Sequence, residues 1–211
     1  MQKWYRPIAA GLGWFAIALQ YFLILRYKTD GDALAAAIRL LAYFTMLSNI
    51  LVALAMTLPW LAPESKWGAF FDLPSVRTAI AAYIIVVSAV YYTVLRKLWN
   101  PEGWQHVADT IEHAAVPVLY VLDWLMFVPK RTLSARSVPS WLIFPVFYAG
   151  YSLLHGAATG FYPYPFLDVT KLGYARVLEN MAFLTAIFGL LGLALVGLGR
   201  ILPPAEAARK R

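Results

Sequence analysis

Six long apolar stretches, each bounded by charged or turn-forming residues, constrain this chain more than anything else in it. They run roughly over residues 7–25, 34–61, 76–98, 106–128, 139–159 and 174–201. A helix needs about 20 mostly apolar residues to cross a hydrocarbon core about 30 Å thick, and each stretch is of that order. The breaks carry turn and charge signals, as in Thr29-Asp30-Gly31-Asp32, Pro63-Glu64-Ser65-Lys66 and Asn100-Pro101-Glu102-Gly103. Composition agrees: 61% of residues are apolar and 14% charged, against about 45–50% and 25% in soluble domains. Too few polar side chains remain to cover a water-facing surface. A soluble enzyme, a disordered chain and a nucleic-acid-binding module are excluded, despite the net charge of +7. The sequence predicts an all-α polytopic membrane protein, one domain over residues 1–211, folded as a single bundle of six transmembrane helices.

The first stretch follows Lys3 and Arg6, as a signal peptide would, but its apolar run is too long for a signal core. It also ends at Arg26-Tyr27-Lys28 without a small-x-small cleavage site, and so reads as a retained anchor. Lysines and arginines divide eleven to seven between the two sides. The richer side holds both termini (Lys3, Arg6 and the Arg209-Lys210-Arg211 tail) with the second and fourth loops, which predicts N- and C-termini in the cytoplasm. There is no cysteine, which excludes disulfides, thiolate metal sites and a cysteine nucleophile.

Polar residues inside a span need a partner or a function. The fourth stretch is richest in them. At 100° per residue His106, Asp109, Thr110, His113, Pro117, Tyr120 and Trp124 share one face. Asp109 stands four residues before His113, placed to accept the ring proton and set its tautomer. His106 and Glu112 are expected at headgroup level. In the second stretch Thr45, Ser48, Asn49 and Val52 share a face, which alone would read as interhelical hydrogen bonding. The fifth stretch and its exit supply Tyr148, Tyr151, Ser152 and His155, then Tyr164, Pro165, Phe166 and Leu167, an aromatic belt at the interface. Asn180 in the sixth stretch faces the bundle.

A hydroxyl on one helix and a carboxylate-backed histidine on another are the minimum for nucleophilic catalysis. Both the second and the fourth stretch run inward from the non-cytoplasmic side. Thr45 lies about 11 residues below the start of its stretch and His113 about 7, a gap that a modest tilt closes. Two alternatives use other residues. His106, His113 and His155 could ligate a metal or haem, and the polar groups could line a small transporter or glue a scaffold.

The pattern Phe44-Thr45-x-Leu47-Ser48-Asn49, then Asp109-x-x-x-His113 with Pro117, then Tyr164-Pro165-Phe166-Leu167-Asp168 resembles the androgen-induced protein family of integral-membrane threonine hydrolases. That family includes the androgen-dependent tissue factor pathway inhibitor-regulating proteins, and the chain is most similar to its bacterial branch. The resemblance runs from about Tyr5 to Leu198. It implies hydrolysis of fatty acid esters of hydroxy fatty acids, with Thr45 as nucleophile and His113 as base. On this reading Asp109 orients the ring, and Ser48, Asn49 or Asn180 donates to the oxyanion. Tyr151, Tyr164, Pro165 and Phe166 line the substrate cavity. No cofactor or metal is expected. The partners are a lipid ester substrate and membrane lipids, with no nucleic acid and no obligate protein partner.

Overall fold

The computed structural model describes residues 2–202, with Gln2 and Lys3 described by backbone alone. The Lys3 side chain and the Arg209-Lys210-Arg211 tail, which weigh in the charge count, lie outside the described residues. All regular structure among the described residues is helical. The helices are α1 (Gln2–Tyr27), α2 (Ala33–Leu41), α3 (Phe44–Leu61), α4 (Lys66–Asp72), α5 (Pro74–Thr93), α6 (Gly103–Thr110), α7 (Val116–Phe127), α8 (Val138–Trp141), α9 (Ile143–Thr159) and α10 (Val169–Ile201). A π-helical turn, Ile111–Ala115, joins α6 to α7. Six segments are long and apolar enough to cross a membrane: Trp4–Tyr27, Phe44–Leu61, Pro74–Lys97, Gly103–Phe127, Ala135–Thr159 and Val169–Ile201. The expected all-α, multi-pass architecture is therefore the observed one.

The stretch 34–61 is not one helix. It ends as α2 at Leu41 and restarts as α3 at Phe44, with Tyr43 extended at φ −89°, ψ 128°. No proline or glycine marks this break. The freed backbone groups are met from elsewhere: the Tyr148 hydroxyl donates to Ala42 O at 2.9 Å, and Thr45 N–H donates to the Tyr164 hydroxyl at 3.1 Å. Thr45 therefore sits in the first turn of its span rather than 11 residues into one. In α10 the break is legible. Gly173 has φ 74°, a conformation that favours glycine, so the straight span begins at Tyr174 as expected.

α5 packs against α3, α7 and α10. Its buried face includes Thr78, Ile80, Tyr83, Ile84 and Val87. Aromatic rings fill the space between α3, α5, α9 and α10: Phe44 lies 5.0 Å from Tyr148, 5.2 Å from Phe144 and 5.5 Å from Phe188. At the other end of α5 an ionic network ties four helices. Arg6 of α1 meets Asp72 of α4 at 3.2 Å and Asp123 of α7 at 3.5 Å, and Arg77 of α5 meets both acids. Asp123 is wholly buried and Arg77 nearly so. Beside it, Lys130 Nζ donates to Leu125 O at 2.7 Å and Val128 O at 3.0 Å, closing the C-terminal end of α7. Burial pushes the Lys130 ammonium down from its ordinary range.

Breaking a buried pair by removing one partner costs about 3–5 kcal/mol, because the other charge stays buried and uncompensated. Asp123→Ala should destabilise the bundle by that amount, read as a fall in Tm in detergent. Asp123→Ala in an Arg77→Met background should recover part of the loss.

Candidate active site

The position of Thr45 explains why its hydroxyl is available. Thr57, Thr78, Thr93, Thr159 and Thr185 each donate to the carbonyl four residues back, at 2.7–2.8 Å. Thr45 has no such acceptor, because Leu41, four residues back, lies beyond the break. Its Oγ instead lies 3.1 Å from the Tyr164 hydroxyl, and either oxygen can donate. Tyr164 also accepts Thr45 N–H, one of the amides left over at a helix N-terminus.

Tyr164 is brought there by the chain leaving α9. Gly160 ends that helix in the left-handed region at φ 72°. The Tyr162 ring then lies on Gly156, where any Cβ would overlap it. A 3₁₀ turn over Pro165–Leu167 follows, its Phe166 ring stacked on Tyr164 at 5.2 Å. Asn180 holds the turn, donating to Phe166 O at 2.9 Å. The turn ends at Asp168, where hydrogen bonds from Thr170 hold the carboxyl below its ordinary range.

A cleft with about 610 Å³ of empty space, including its mouth, reaches Thr45 from between α5, α9 and α10. Its wall is apolar, with Phe44, Val87, Val90, Met181 and Phe188 among its residues. The hydroxyls on that wall belong to Thr45, Tyr148, Tyr164 and Thr185. Tyr148 is committed to Ala42 O and Thr185 to Met181 O. Thr45 and Tyr164 are thus the hydroxyl pair free for chemistry. Of the residues expected to line the cavity, Tyr164 and Phe166 do. Tyr151 instead faces His155, ring centroids 5.8 Å apart, and Pro165 opens the turn exposed.

His113 is set by the π turn. Val116 N–H reaches back to Ile111 O, and Pro117 has no N–H to give. The carbonyls of Glu112 and His113 are left without helical partners. Asn49 Nδ2 donates to Glu112 O at 3.4 Å, and Ser88 Oγ to His113 O at 2.8 Å. His113 Nδ1 lies 2.9 Å from Asp109 O and 3.4 Å from Asp109 Oδ1. A backbone carbonyl only accepts, so Nδ1 carries the proton and Nε2 the lone pair. The tautomer is thus set chiefly by the Asp109 carbonyl, not by the carboxylate as expected. The Asp109 carboxylate accepts from the Tyr91 hydroxyl, and the Tyr91 ring stacks on His113 at 3.9 Å.

Thr45 and His113 are both buried and on facing elements, but no hydrogen bond joins them among the described residues. Asn49 ties the two elements together, its amide donating to Thr45 O of its own helix at 2.9 Å and to Glu112 O of the π turn. Of the oxyanion donors expected from the sequence, the Asn49 and Asn180 amides bond backbone carbonyls, whereas Ser48 Oγ is buried without a partner. His106 and Thr110, which share a helical-wheel face with His113, are exposed, while Asp109 between them is buried. Glu112, expected at headgroup level, is 3% exposed, with Oε1 unpartnered. The one signal for its burial was Pro117, which frees a carbonyl and loosens the turn before it. His106, His113 and His155 do not converge, and no group of three or more His, Asp or Glu among the described residues could hold a metal ion.

No protein family matches the chain, and neither does any curated protein or solved structure.

Glu112→Gln removes a buried acidic group that lacks a donor on one oxygen. It should raise stability by about 1–3 kcal/mol, read as a Tm higher by a few degrees. An equal or lower Tm would mean that Glu112 has a stabilising partner.

Proposed function

We propose that the chain is an intramembrane hydrolase of lipid carboxylic esters, similar in chemistry to the hydrolases of fatty acid esters of hydroxy fatty acids. One observation carries the reading: an apolar cleft of acyl-chain character ends on a buried threonine hydroxyl that its helix leaves unbonded. Apolar clefts with a few placed polar groups are typical of ligand sites.

In the proposed reaction an ester enters laterally, its acyl chain in the cleft and its carbonyl carbon at Thr45 Oγ. Oγ attacks, and its proton passes to His113 Nε2 through one water. The tetrahedral intermediate collapses, the C–O bond to the alcohol breaks, and the alkoxide takes the proton from His113. Water then attacks the threonyl ester with His113 again as base, releasing the fatty acid. Tyr91 and Asp109 hold the imidazole. The chain lies in a bacterial cytoplasmic membrane with both termini inside, so the site opens in the outer half of the bilayer.

Thr45→Ala and His113→Ala should each lower hydrolysis of a fatty acid ester of a hydroxy fatty acid by at least about 10³-fold, with fluorophosphonate labelling lost and the folded yield kept. Thr45→Ser should retain part of the activity, and His155→Ala nearly all of it. Wild-type turnover by Thr45→Ala would end the proposal. The absence of native cysteine gives a clean test of orientation. A cysteine replacing Glu102 should react with an impermeant maleimide on intact cells, and one replacing Glu64 only after lysis.

A further inference from the structure

An acyl-transfer site needs a donor where negative charge develops on the carbonyl oxygen, and losing one such donor costs about 10²–10³ in kcat. Asn49 has both amide N–H groups on backbone carbonyls, and the Asn180 amide holds Phe166 O of the 3₁₀ turn. Tyr148 and Thr185, the other hydroxyls on the cleft wall, are likewise bonded to backbone carbonyls.

We propose that Tyr164 is a catalytic residue of this reaction, its hydroxyl being the hydrogen-bond donor to the oxyanion formed when Thr45 attacks. The inference rests on the hydrolase reading and adds a role that no sequence motif assigns. The geometry is direct. Tyr164 lines the cleft, is 6% exposed, and places its oxygen 3.1 Å from Thr45 Oγ and 3.1 Å from Thr45 N. In the tetrahedral intermediate Oγ and the oxyanion share one carbon, so a donor bonded to the first lies within reach of the second.

The proton inventory fits. One lone pair of the phenol oxygen is taken by Thr45 N–H, which polarises the O–H. That O–H rests on Thr45 Oγ and turns to the carbonyl oxygen as it gains charge, freeing an Oγ lone pair for attack. Oγ–C forms, the C=O π pair moves onto oxygen, and Tyr164 keeps its proton throughout. On collapse the π bond re-forms and the alcohol leaves. Burial pushes the Tyr164 phenol up to about 12, so it stays a donor at neutral pH and is no rival to His113 as base. The ring is fixed by Phe166 stacked on one side and by Tyr43 edge-on at 6.0 Å.

The test is Tyr164→Phe in the full chain, which keeps the ring and removes the hydroxyl. Expected are a fall in kcat of about 10²-fold, KM within about threefold, and fluorophosphonate labelling slowed by a similar factor. A second variant keeps the hydroxyl and the packing: 2,3,5-trifluorotyrosine at position 164 lowers the phenol's own pKa. It should lose kcat on an alkaline limb that the wild type lacks. Overturning results are a Tyr164→Phe kcat within about twofold of wild type, or a trifluorotyrosine pH profile that does not move. Either leaves Tyr164 as a helix cap only. These results are distinct from failure of the hydrolase reading, which would show as turnover persisting in Thr45→Ala.

Discussion

Inside a bilayer every backbone N–H and C=O must find its partner within the protein. In a straight helix that condition is met locally. Among the interruptions of this bundle's helices, those between Ala42 and Phe44 and over Ile111–Ala115 each free backbone groups inside the bundle. The side chains that meet them are the residues of the candidate site. Tyr148 meets Ala42 O, Tyr164 meets Thr45 N–H, Asn49 meets Glu112 O and Ser88 meets His113 O. Asn49 also reaches Thr45 O, so one amide couples the two interruptions. The site is thus a pair of facing helix defects, held in register by side chains that cannot be removed without leaving a buried group unsatisfied.

The bundle buries polar groups at both of its ends. At the end where α1 and α5 begin, charges are paired across four helices, and Arg77 and Asp123 have almost no exposure. Thr78 adds a neutral bond there, accepting from Trp124 Nε1 at 2.9 Å. Ser48 Oγ, Asn49 Oδ1 and Glu112 Oε1, on α3 or the π turn facing it, are buried without partners, as are Ser152 Oγ on α9 and Arg77 Nε within the ionic network. Unsatisfied groups lower stability.

Much of this was legible. Apolar length located six spans, and Thr45, Asn49, Asp109, His113 and Tyr164 were all singled out by residue type and position. What escaped the sequence follows from tertiary contacts. The α2–α3 break has no local breaker and depends on Tyr148 and Tyr164, more than 100 residues away. The helical wheel of the fourth stretch assumed 3.6 residues per turn. The π turn inserts a wider one, within which Glu112 is buried beside His113. Tyr91 and Ser88, which fix the His113 ring and carbonyl, sit in an apolar stretch with nothing to distinguish them from packing residues.

Why a threonine at this place, and why at a helix start, have one answer. A hydroxyl within a membrane helix is ordinarily neutralised by its own backbone, donating to the carbonyl four residues back. Five threonines in this bundle do so. Such a hydroxyl has spent its proton on a carbonyl and makes a poor nucleophile. Only in the first turn of a helix is that carbonyl missing, and there the helix also offers unbonded amides and the positive end of its dipole. Placing a helix start inside the bundle, rather than at the water interface, therefore creates a free hydroxyl and a site suited to developing negative charge in one step. The break before Phe44 does this for Thr45. The Tyr164 phenol, arriving from the far end of the chain, completes it with a donor that the helix itself cannot provide.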